Sequence, residues 1–64
     1  MGKKVREVIL LLEMNGWRFV RERGDHKLYA KIGARRPIPI AGKMSREMPP
    51  REYYSILREA GIDW

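Results

Sequence analysis

The chain has 64 residues, one histidine and no cysteine, and its fourteen Lys and Arg against eight Asp and Glu give a net charge of +6. A chain of this size makes one domain, residues 1–64, with a small core; the missing cysteines exclude disulfides and Cys-based zinc sites and fit a reducing cytoplasm. The positive excess favours an anionic partner, nucleic acid first and an acidic protein second. No membrane span is expected, because the longest aliphatic run, residues 8–12, is far short of the ~20 needed. Neither a leader pattern nor a myristoylation site is expected at the basic start.

Residues 4–15 read as an amphipathic helix, with Val5, Val8, Ile9 and Leu12 on one stripe that Leu11 and Met14 widen. Gly16 suits the left-handed position that ends it. Residues 17–23, rich in Trp, Phe and Val, predict a strand. Gly24-Asp25 is a two-residue hairpin turn, and residues 26–32 are the second strand. Gly33-Ala34 predicts another two-residue turn, and residues 35–40 a third strand. Pro37 and Pro39 cannot donate to a ladder, so this strand belongs at an edge. Residues 41–48 read as a loop. Pro49-Pro50 starts a second helix, whose stripe is Tyr53, Ile56, Leu57 and Ala60. Gly61 caps it, and Ile62 folds back as the apolar contact.

The fold class is therefore α+β, in the order α-β-β-β-α. A three-stranded antiparallel sheet carries both helices on one face and leaves the other open. With two-residue loops, Arg23 pairs with His26, Arg21 with Leu28, Phe19 with Ala30, Leu28 with Pro39, and His26 with Ala41. Val20, Tyr29, Ile38 and Ile40 then meet the helices, beside Arg18, Glu22, Lys27, Lys31 and Arg36. Trp17, Phe19, Arg21, Arg23, His26, Leu28, Ala30, Pro37 and Pro39 occupy the open face.

The chemistry centres on His26. There is no phosphate loop, no His-Glu-x-x-His and no Gly-x-Ser-x-Gly, and one histidine cannot build a His-rich metal site. Phosphodiester cleavage in RNA needs less. The substrate's own 2′-hydroxyl is the nucleophile, imidazole moves protons near neutral pH, and Arg21, Arg23, Lys27 and Lys31 are candidate phosphate contacts. No metal or cofactor is expected in that scheme. Two other readings stand beside it: a non-cleaving RNA-binding module, and a domain whose basic face serves an acidic protein. A histidine beside a turn also needs no task, and Tyr29 reads as core.

Four pieces of the chain resemble the HicA toxins, the mRNA interferases of HicA–HicB toxin–antitoxin pairs. They are Leu12-Glu13-x-Asn15-Gly16-Trp17, Val20-Arg21-x-x-Gly24-x-His26, Ile38-Pro39-Ile40, and Ser55-Ile56-Leu57-Arg58-x-Ala60-Gly61-Ile62. The resemblance implies a fold like the double-stranded-RNA-binding domain and an endoribonuclease that depends on the histidine matching His26. It also implies mRNA as substrate, a HicB-type antitoxin as partner, and action in the cytoplasm. The chain departs from the family pattern in two places. Asp25 stands where members commonly have serine, and Ala41 where many have a second histidine.

Overall fold

The structure is a computed structural model and describes residues 2–62. In chain order the elements are β1 (Lys3–Lys4), α1 (Val5–Met14), β2 (Arg18–Arg23), β3 (His26–Ala30), β4 (Ile38–Ala41), β5 (Glu47–Met48) and α2 (Pro50–Ala60). The expected α-β-β-β-α order is present, with β2, β3 and β4 forming an antiparallel sheet in that order. A second, two-stranded sheet joins β1 to β5.

Both helices end in the same way. At the end of α1, Gly16 takes φ +92°, its N–H donates to Glu13 O, and the Trp17 N–H donates to Leu12 O. At the end of α2, Gly61 takes φ +71°, its N–H donates to Arg58 O, and the Ile62 N–H donates to Leu57 O. Each is a Schellman ending, in which the residue after the glycine packs back on the helix. Ile62 was expected to do so and is buried; Trp17, expected on the open sheet face, is buried for the same reason. Its backbone finishes the helix before β2 begins. Among the described residues the Trp17 Nε1–H has no acceptor, a cost of about 1–3 kcal/mol set against the burial of a whole indole.

The core collects Val5, Val8, Ile9 and Leu12 of α1, Tyr53, Ile56, Leu57 and Ala60 of α2, and Tyr29, Ile38 and Ile40 of the sheet, with Trp17, Met48 and Ile62. Every stripe residue expected from the 3.6-residue period is there except Met14, which is exposed while Leu11 is partly buried. Leu12 and Leu57 are fully buried, each contributing about 1.5–3 kcal/mol relative to exposure.

Residues 41–48, expected as a plain loop, supply β4's last residue, β5 and a core residue, Met48. They also complete the start of α1. The N–H groups of Val5 and Arg6 have no partner within their own helix; they donate to Arg46 O at 2.9 Å and Met44 O at 3.1 Å. Glu7 Oε1 accepts the Lys4 N–H at 2.8 Å.

The sheet register agrees with expectation near the first turn and departs from it further out. Arg23 pairs with His26, Arg21 with Leu28, Leu28 with Pro39, and His26 with Ala41. The register then shifts between Phe19 and Arg21, so that Phe19 pairs with Tyr29 and Arg18 with Ala30. Val20 is the extra residue of a bulge, and one extra residue reverses the faces of everything beyond it. Val20 therefore lies exposed instead of meeting the helices. Phe19 leaves the open face and sets its ring edge against Tyr29, with centroids 5.9 Å apart. Arg18, opposite Ala30, joins the open face.

The second connection also differs. β3 stops at Ala30 and β4 starts at Ile38. The turn between them centres on Ile32-Gly33, where the Ala34 N–H donates to Lys31 O at 3.0 Å and Gly33 has φ +91°. A positive φ at the second central residue belongs to a type II turn, not to a two-residue hairpin. The register of β3 with β4 survives because the longer loop absorbs the difference.

Candidate active site

His26 is the first residue of β3 and follows the turn at Gly24-Asp25. Gly24 has φ +59° and Asp25 does not have a positive φ, as the Gly-first hairpin turn requires. The turn is tied to the end of β4 by the Gly42 N–H, which donates to Asp25 O at 3.1 Å. Neighbouring strands on both sides therefore hold the histidine backbone. Its ring Nδ1 lies 3.0 Å from Asp25 Oδ1. A carboxylate at that distance favours a proton on Nδ1, the tautomer of a neutral imidazole that has its lone pair on Nε2. About half of the side chain, 52%, is open to solvent.

Arg21 and Arg23 share the open face with His26, Arg23 directly across the ladder and Arg21 two pairs along. Among the described residues neither has an acidic partner within 4.0 Å. Lys27 is placed differently. It sits opposite Glu22 and Ile40, on the sheet face away from His26, and its Nζ lies 4.0 Å from Glu22 Oε2. Lys31 follows the end of β3, and its aliphatic stem passes over Gly16. With Arg18, Val20 and Ala30 it lines a shallow hollow at the far end of the open face. The structure thus brings together His26, Arg21 and Arg23, and leaves Lys27 and Lys31 apart from them.

The second helix adds residues that sequence reasoning missed. His26, Pro39 and Ala41 form one wall of a groove of about 720 Å³, and Pro49, Arg51, Glu52, Ser55 and Ile56 form the other. One side chain sets its width. Arg46 donates from Nε and Nη2 to Ala41 O at 3.2 and 3.1 Å, and from Nη2 to Glu52 Oε2 at 2.7 Å. This ties the end of β4 to the first turn of α2. A side chain at Gly42 would collide with the Arg46 guanidinium, and Gly42 has φ +92°, so the loop needs glycine there twice over. The only sequence signal for the groove was Pro49-Pro50, which starts α2 soon after the strand that carries Ala41.

Among the described residues, no three His, Cys, Asp or Glu side chains gather as metal ligands do. No helix among them is long and apolar enough to cross a membrane.

Fold and site together define a small basic α+β domain with one solvent-open histidine set among arginines. The profile described as the HicA toxin of bacterial toxin–antitoxin systems matches residues 5–62, nearly the whole chain, and the protein belongs to that family. Membership makes it the toxin side of a toxin–antitoxin system, with an antitoxin as its partner. Comparison with curated proteins gives no match.

Proposed function

We propose that the protein is an mRNA interferase in which His26 transfers the proton. The supporting observation is a half-exposed His26 on a face shared with Arg21 and Arg23; Asp25 Oδ1 lies 3.0 Å from its Nδ1, and Nε2 is the nitrogen we assign to substrate. Nε2 takes the proton of the 2′-hydroxyl. The 2′-oxygen bonds to phosphorus as the bond from phosphorus to the 5′-oxygen breaks, and the leaving oxygen takes a proton from water. The products are a 2′,3′-cyclic phosphate and a 5′-hydroxyl. Arg21 and Arg23 stabilise the charge that builds on the phosphorane, held by strands that need no rearrangement. Lys31, with Arg18, meets RNA further along the face. Lys27, behind the sheet and beside Glu22, adds to the general field.

A HicB-type antitoxin silences this activity by covering the His26 face with acidic groups, and the place of action is the cytoplasm, where mRNA is translated. Purified protein incubated with RNA, with and without chelator, tests the reading. Cleavage that resists chelation and leaves cyclic phosphate ends is the expected result. Intact RNA, or ends of the opposite polarity, would refute it. The α-β-β-β-α order and the basic face also suit a module that binds RNA by shape without cutting it, and intact RNA that is nevertheless bound would favour that second reading.

A further inference from the structure

The groove beside His26 has a charge and shape of its own. Glu52, the acidic residue on its wall, is already engaged by Arg46 at 2.7 Å. Arg51 is exposed and, among the described residues, has no acidic side chain within 4.0 Å. Ser55 is exposed one helical turn further on, and side chains at i and i+4 stand on the same side of a helix. The groove floor is apolar, from Pro39, Ala41, Pro49 and Ile56. A free guanidinium and a hydroxyl therefore stand over an apolar trough, across from an imidazole. Pro49, just before the first residue of the same helix, offers no side-chain cap, so the positive end of the helix dipole adds to the field of Arg51.

We propose that this groove is a nucleotide subsite for single-stranded RNA. Arg51 and Ser55 bind a backbone phosphate next to the one that reacts at His26. The apolar floor carries the sugar and base between them. Arg51 presents a planar donor fork suited to two phosphate oxygens, and the Ser55 hydroxyl donates to the same group. Substrate then runs from the Arg21 and Arg23 side of the sheet, past His26, into the groove. The subsite rests on the ribonuclease reading only for which phosphate reacts; its binding role is independent of cleavage.

The test is binding of a short fluorescent 2′-O-methyl RNA, which cannot be cleaved through its 2′-position, to the full chain. Arg51→Ala should weaken binding at least about tenfold, the loss of a charged hydrogen bond, and flatten the log–log salt slope by about 0.7. Ser55→Asp, a change at an exposed position, should weaken it further by placing a negative charge against the phosphate. Arg58→Ala, on the same helix but outside the groove, should bind as wild type does. Circular dichroism confirms that each variant is folded. Wild-type affinity in both Arg51→Ala and Ser55→Asp overturns the subsite whether or not the protein cleaves RNA. Failure of the unaltered protein to bind the probe overturns it too. Weakened binding in a protein that shows no cleavage keeps the subsite and removes the His26 reaction instead.

Discussion

His26 has half of its side chain in solvent and one ring nitrogen 3.0 Å from Asp25 Oδ1, so its removal tests chemistry with little disturbance of the core. His26→Ala should change stability by no more than about 0.5 kcal/mol, as at ordinary surface sites. RNA binding should survive, while cleavage slows by roughly 10² to 10⁴. Denaturant titration and a single-turnover assay on one RNA measure the two halves; a folded variant that cleaves at the wild-type rate would exclude the assignment. Asp25 pulls in two directions. It orients the imidazole, and it places a carboxylate beside the phosphate. Asp25→Ala should therefore tighten RNA binding and slow turnover of bound RNA, a split that kcat and KM measured separately will show. Tyr29 gives a different pH effect. Burial, reinforced by Glu13, pushes its phenol above the ordinary value of 10.0. A folded-state pKa above the unfolded one means stability that is complete below about 10 and falls as pH rises through the folded value. Urea midpoints at neutral and strongly alkaline pH should differ less in Tyr29→Phe than in wild type.

At the scale of elements, the helices were legible because their signals are local. A 3.6-residue apolar period and a glycine closing each helix, with Pro49-Pro50 opening the second, determined α1 and α2 to within a residue or two. The hairpin was legible outward from Gly24, since a two-residue turn sets the register of its nearest pairs. That is why His26, Arg21 and Arg23 were correctly placed on one face. Directly past the Arg21–Leu28 pair the Val20 bulge reversed the strand, and no residue type announces a bulge. Trp17 was misread as strand because its burial follows from the Schellman ending before it. The groove lies between α2 and the sheet, lined by His26 of β3 and Pro39 and Ala41 of β4, and no local pattern reports such a contact. Its geometry depends on the Gly42 and Arg46 pair. Gly42→Ala should force a left-handed conformation on alanine and push the guanidinium off Ala41 O and Glu52. The expected cost is about 1–3 kcal/mol, measured by urea unfolding, together with weaker RNA binding by the folded fraction as the groove loses its tie.

The whole molecule is a slab of 31 × 28 × 17 Å, and its helices fill one side of the sheet with core. Its carboxylates are largely occupied where they approach the site: Glu22 lies near Lys27, Glu52 near Arg46, and Asp25 near His26. Arg21 and Arg23 on the open face and Arg51 at the groove have no acidic side chain within 4.0 Å among the described residues, so they keep their share of the net charge of +6. A field of that shape draws single-stranded RNA across the face and into the groove by counterion release. Affinity should fall as salt rises, with a log–log slope of about −0.7 for each phosphate held. Arg21→Ala, Arg23→Ala and Arg51→Ala should each remove one such step from the slope. Lys27→Ala should remove less, because that lysine lies behind the sheet and near Glu22. Filter binding of one RNA over a salt series, repeated for the four variants, separates the open-face cations from the rest. A slope that is the same in all four would mean that RNA, if bound, is held by some other surface, and a flat salt dependence in the wild type would contradict electrostatic binding altogether.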